Sequence, residues 1–120
     1  MSMTDIINEA IDKISGALFA GVIGTDGLSV EMAFAGGGAH LDIELAELEL
    51  GTIASAASAA SARVGSGYVL DLTIETEDLT YLAGMITPGY YAVLGVRPDS
   101  SLGRARFAVR QMVARIKDEL

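Results

Sequence analysis

The sequence predicts an α+β sandwich, one five-stranded antiparallel sheet with helices on both faces, in the order α-β-β-α-β-β-β-α. Two features carry that expectation. Helical periodicity marks both ends of the chain and one long central segment, while the stretches between them alternate or run apolar and are joined by glycine turns. The last two stretches are apolar on both faces, which puts them in the middle of a sheet covered above and below.

Across residues 4–14, Ile6, Ile7, Ala10, Ile11 and Ile14 recur at helical spacing, with Asp5, Glu9, Asp12 and Lys13 on the other side. Thr4 is the expected N-cap. Beyond Ser15 and Gly16 the pattern becomes ALFAGVIG. After the knot GTDG it becomes LSVEMAF, where Leu28, Val30, Met32 and Phe34 alternate with Ser29, Glu31 and Ala33, the mark of a strand with one drier face. A phosphate loop of the Walker kind needs Gly-x-x-x-x-Gly-Lys-Ser/Thr opening a helix, because the lysine and the helix N-terminus hold the anion. Here Gly24 to Gly27 lead into a second strand and no lysine follows, so the knot reads as a hairpin turn.

AGGGAH, residues 35–40, reads as a strand-to-helix linker, with a ligand loop as the alternative because glycine suits close backbone approach, although it matches no complete phosphate motif. Residues 41–64 form the most unusual segment. Asp42, Glu44, Glu47 and Glu49 crowd its first half and Arg63 lies near its end, the polarity a helix dipole favours. Ile43, Ala46, Leu50, Ile53, Ala57, Ala60 and Val64 make one apolar stripe, expected to lie on the chain's own sheet. A second stripe, Leu41, Leu45, Leu48, Thr52, Ser55 and Ala59, lies on a different side. Two apolar faces need two neighbours: either the domain wraps the helix itself or a second subunit covers it, and a chain this small leaves little protein for the first.

Gly65-Ser66-Gly67 ends the helix. In YVLDLTIET, Tyr68, Leu70, Leu72 and Ile74 alternate with Val69, Asp71, Thr73 and Glu75, giving a third strand over residues 68–75. LTYLAGMI and YYAVLGV follow as the two central strands. Ser100 or Ser101 caps a final helix buried through Leu102, Ala105, Val109, Met112, Val113, Ile116 and Leu120. Arg104, Arg106, Arg110, Arg115 and Lys117 lie mostly elsewhere on it, as a solvated face or a docking surface for an acidic partner.

The 120 residues fit one domain, and 51% hydrophobic against 20% charged content places the chain in the globular class. No apolar run reaches the length of a membrane span, and acids stand at the start where a signal peptide has bases, so a cytoplasmic protein without direct membrane insertion is expected. A net charge of -8 argues against nucleic acid as a partner. With no cysteine and a single histidine, His40, the usual zinc sites are excluded, and His40 reads as a surface or capping residue. GLSVE starts like a nucleophile elbow, but Glu31 stands where its second glycine belongs. Glu75, Glu77 and Asp78 are paired acids beside a turn, with nothing to sink them in a pocket. No catalytic set, no metal and no cofactor is expected.

GVIGTDGLSVEMAF, the alanine-rich segment 41–64, LAGMITPGYYAVLGV and SSLGRARFAVRQMV follow one another in the order and spacing of the roadblock family, named for dynein light chains and also found in bacteria. The chain resembles that family over nearly its whole length, as a single domain over residues 1–120. The resemblance implies a homodimer in which the third strand pairs with its mate and the long helices pack side by side. The implied interface is Leu45, Leu48, Thr52, Ser55 and Ala59 on the helix with Tyr68, Leu70, Leu72 and Ile74 on the strand. The family includes regulators of small Ras-like GTPases and scaffold subunits, and members that assist hydrolysis position the GTPase's own residues. It therefore implies a non-catalytic adaptor for a small Ras-like GTPase, and the acidic first half of the long helix, Glu44, Glu47 and Glu49, is the surface expected to meet it. A structural subunit of a larger motor-like or signalling assembly, without nucleotide-dependent contact, is the alternative.

Overall fold

The computed structural model describes residues 1–26, 28–36 and 40–119. Gly27 of the hairpin turn, Gly37, Gly38 and Ala39 of the glycine linker, and Leu120 of the last apolar stripe lie outside the described residues. The elements are α1 (Met3–Lys13), β1 (Ala17–Gly24), β2 (Ser29–Phe34), α2 (Ile43–Val64), β3 (Asp71–Glu75), β4 (Thr80–Thr87), β5 (Tyr90–Val96) and α3 (Leu102–Glu119). The strands form one antiparallel sheet in the order β2-β1-β5-β4-β3. The expected fold class and element order are those observed.

β5 is central because it can be buried on both faces: Tyr91 to Val96 are all buried, as is every residue of β1. Its register sets Leu94 opposite both Ala20 and Leu82. On one face α1 and α3 close a core around Ile6, Ile7, Val22, Leu94, Val109 and Ile116. On the other, α2 alone covers Leu18, Phe19, Ala83, Tyr91 and Val93 with Ala46, Leu50 and Ala54.

Several local expectations are corrected. Ser2, not Thr4, caps α1, since its hydroxyl accepts from the Asp5 amide while the Asp5 carboxylate accepts from the Ser2 amide, a closed capping box. Thr4 instead donates to Glu31 on β2 at 3.1 Å. The hairpin after β1 is present, with the Gly24 amide donating to the Leu28 carbonyl at 2.8 Å and the Leu28 amide to Asp26 Oδ1 at 3.1 Å. The single dry face of β2 is not: a bulge between Val22 and Ile23 shifts the register, and Leu28, Val30 and Phe34 stay exposed.

α2 starts with Asp42 as N-cap, its carboxylate accepting from the Leu45 amide at 3.1 Å. It ends where Gly65, at φ 80°, donates to the Ala62 carbonyl and Ser66 to the Ser61 carbonyl, a left-handed stop that glycine adopts freely. Its inner stripe is Ala46, Leu50 and Ala54, spaced by four, with Ile43, Ile53 and Ala57 half-buried beside it. Ala60 and Val64, expected in that stripe, are exposed: no residue of α2 beyond Ala54 is among the buried core residues beneath the helix.

β3 is shorter than expected. Tyr68 and Leu70 precede it and are 69% and 63% exposed. The ladder runs out there: the Met85 amide still donates to the Leu70 carbonyl at 2.9 Å, but β4 shifts register between Met85 and Thr87, and the Val69 carbonyl accepts from the Tyr91 hydroxyl instead. Ser101 caps α3 through the Arg104 amide at 3.3 Å, while Ser100 donates to the Ser15 carbonyl at 2.9 Å.

Candidate functional site

The residues singled out from the sequence gather on one side of the molecule, along the outer face of α2 and the β3 edge. At 100° per residue, Leu45, Leu48, Thr52, Ser55 and Ala59 fall within one outward arc, turned away from Ala46, Leu50 and Ala54. Leu45 and Leu48 are 49% and 50% exposed, Thr52 and Ala59 are exposed, and Ser55 is half-buried. Beyond Thr52 the arc carries only small side chains, which allow another backbone to approach closely.

β3 pairs with β4 on one side only. Since the Leu70 carbonyl points at β4, alternation aims the backbone groups of Leu72 and Ile74 inward and those of Asp71, Thr73 and Glu75 outward. Leu72 and Ile74 are half-buried, and Leu72 packs into the core beneath α2. Tyr68 and Leu70 add exposed apolar surface at the entry to the strand. An amphipathic helix with an uncovered apolar side thus lies beside an unpaired strand edge.

One residue that the sequence reading did not single out positions this entry. The buried Tyr91 hydroxyl donates to the Val69 carbonyl at 2.8 Å and stands 3.4 Å from Ser58 Oγ on α2. It ties α2, β5 and the start of β3 together, as a buried phenol needing a partner for its polar tip would. Its signal was the first position of YAVLGV, facing α2 together with Val93.

The acids of α2 separate. Glu44 and Glu49 are exposed, whereas Glu47 is only 6% exposed and its Oε1 has no hydrogen-bond partner. Burial, and to a lesser degree the charge of Glu44, pushes the Glu47 carboxyl above the ordinary carboxylate range. Near the N-terminus of α2, Asp42, Leu45, Glu49, Glu77 and Tyr81 line an open cleft of about 400 Å³. His40 Nε2 stands 3.8 Å from Asp78 Oδ2, both on the surface. Glu75, Glu77 and Asp78 are exposed. No helix of the described residues is long and apolar enough to cross a membrane.

The bases of α3 lie on the opposite face of the sheet. Arg115 Nη2 pairs with Glu9 Oε2 at 2.8 Å and joins α3 to α1, while Arg104, Arg106, Arg110 and Lys117 are exposed. Arg115, with Lys13, holds the Glu9 carboxyl down to about 2.

A three-helix, five-strand sandwich with one long helix alone on one face and β3 at the edge is the roadblock fold, and the resemblance read from the sequence holds in the structure. The chain is similar to MglC from Myxococcus xanthus, with 26% identity over 100% of both chains and a TM-score of 0.74. It is also similar to a Roadblock/LC7 domain from Streptomyces avermitilis, at 13% identity, 99% and 98% coverage and a TM-score of 0.77. The gliding protein mglB from Thermus thermophilus superposes at 16% identity, 98% and 90% coverage and a TM-score of 0.79. No protein-family model matches the chain, and no curated protein matches it by sequence.

Proposed function

We propose that this chain is a non-catalytic, homodimeric adaptor of the cytoplasm that binds and regulates a small Ras-like GTPase, and that its 120 residues act as one roadblock domain. One observation carries the reading: the uncovered arc of Leu45, Leu48, Thr52, Ser55 and Ala59 beside the unpaired β3 edge. A twin chain satisfies both at once. Two β3 strands pair through Asp71, Thr73 and Glu75 to extend the sheet, and two α2 helices pack on the same side, covering the leucines. The likeness to MglC and mglB supports a regulator built on this scaffold. Glu44 and Glu49 stand exposed at the N-terminal half of α2, where the partner GTPase meets them. Glu47, being buried, acts beneath that surface and not on it.

Titrating the chain with small Ras-like GTPases loaded with GDP or with a non-hydrolysable GTP analogue tests the reading. The expected result is saturable binding with different affinity for the two states, lost in a Leu45→Glu, Leu48→Glu double variant. Equal affinity for both states would point to a purely structural subunit of a larger assembly. No binding to any GTPase would remove the regulatory reading.

A further inference from the structure

The chain carries a net charge of -8, yet five of its eight bases lie on α3. Among them Arg106, Arg110 and Lys117, at 100° per residue, project within about 40° of one another. Arg106 and Arg110 line a cleft of about 300 Å³ whose facing wall is β3, through Asp71 and Thr73, and whose floor includes Leu82 and Val109. Gly84 lets this cleft form. A methyl group there would stand 2.9 Å from Val109 Cγ1 and 3.0 Å from Val113 Cγ2, so its absence lets α3 sit close on β4 and leaves the arginines beside the strand. Among the described residues, none of Arg106, Arg110 and Lys117 forms an ion pair, in contrast to Arg115 on the other flank.

The geometry points to this cleft as a docking groove for an acidic stretch of a partner protein, whose carboxylates pair with Arg106 and Arg110. A planar guanidinium matches a carboxylate with two parallel hydrogen bonds, and two of them one helical turn apart suit successive acidic side chains. The overall negative charge repels a long polyanion such as nucleic acid, whereas a short acidic segment meets only the local field of α3. Asp71 opposes the ligand and limits how much negative charge the groove accepts. The groove lies on the α3 side of the sheet, away from α2, so it goes beyond the GTPase reading; its β3 wall is the strand that meets a twin in that reading, while the arginines that hold the ligand stand on α3, outside that pairing.

Nuclear magnetic resonance titration of the isotope-labelled full chain provides the test. The probe is a short acetylated peptide alternating glutamate and leucine, beside its glutamine counterpart and inorganic phosphate. The expected result is saturable shifts confined to the amides of β3 and the first half of α3, weakened by salt, with the glutamine peptide silent. Arg106→Gln with Arg110→Gln lowers affinity about tenfold, and Asp71→Asn raises it a few-fold. All three substitutions are at exposed positions, so the variants keep the core intact. The Leu45→Glu, Leu48→Glu variant, which removes GTPase binding if the first reading is right, keeps the peptide, so the two claims fail separately. Shifts spread over Lys13, Arg63 and Arg97, equal binding of the glutamine peptide, or the same response to phosphate alone would overturn the proposal.

Discussion

Gly95 and Phe19 face each other across β1 and β5, and replacing that glycine tests how tightly the layer beneath α2 is packed. Phe19 is fully buried and belongs to the core that α2 covers with Leu50 and Ala54. A methyl group on Gly95 would stand 2.6 Å from Phe19 Cζ and closer still to Cδ1 and Cε1. Carbon atoms prefer about 3.5 Å or more, so the ring must retreat by roughly 1 Å toward α2. Two effects compete. Alanine gains about 0.5–1 kcal/mol over glycine in an ordered strand, and overpacking a filled core costs about 1–3 kcal/mol. With no exposed side for the ring to escape to, overpacking wins, and Gly95→Ala should destabilise by about 2 kcal/mol. Urea unfolding at fixed protein concentration should show a lower midpoint with an unchanged slope. Adding Phe19→Leu should recover about half of the loss, because the smaller side chain vacates the space the methyl group needs. Gly95→Ala as stable as the parent chain would refute the packing argument.

Further expectations concern ionised groups and caps. Glu47→Gln should stabilise the chain at neutral pH by about 1 kcal/mol, since it replaces a carboxylate that burial disfavours. The parent's penalty should fade as pH falls from above the raised folded value to the ordinary 4.5, and calorimetry on both chains across that range checks it. Glu9 has the opposite sign. Arg115 first and Lys13 second lower its value from 4.5 to about 2, so its contribution is complete above 4.5 and is lost as pH falls toward 2. Arg115→Gln should therefore move the acid-unfolding midpoint to higher pH, read by circular dichroism. Asp42→Ala removes the cap of α2 and should cost about 1 kcal/mol, with faster hydrogen exchange in its first turn, Leu45 above all.

Much of the architecture was readable because burial on both faces leaves a plain mark. YAVLGV and LTYLAGMI lack any polar alternation, and only a central strand tolerates that. The end of α2 was readable from Gly65, whose chemistry is local, whereas its start was expected at Leu41 and falls at Ile43, after the Asp42 cap. What depended on long-range placement was not. Periodicity assigned Ala60 and Val64 to the inner stripe, but it cannot show that the helix outruns the core beneath it, leaving Val64 80% exposed. Tyr68 and Leu70 alternate like strand residues, yet the strand stops at Asp71: past the Met85 amide's bond to the Leu70 carbonyl, the Val69 carbonyl accepts from the Tyr91 hydroxyl and not from β4. Glu47 differs from Glu44 and Glu49 by its angle on the helix, and sequence spacing alone did not show which of the three turns inward. Of the candidate surface, the outer leucines were legible as apolar residues in excess of what one domain can bury. The Tyr91 tether was not, since it requires knowing that Ser58 and Val69 converge on one hydroxyl.

Sedimentation equilibrium of the unaltered chain over a dilution series tests the central claim most directly. If the outer leucines of α2 and the open edge of β3 exist to meet a second copy, the mass at micromolar concentration is twice 12.5 kDa, and it falls to one copy in the Leu45→Glu, Leu48→Glu variant. A folded particle of 12.5 kDa at every concentration would contradict the account.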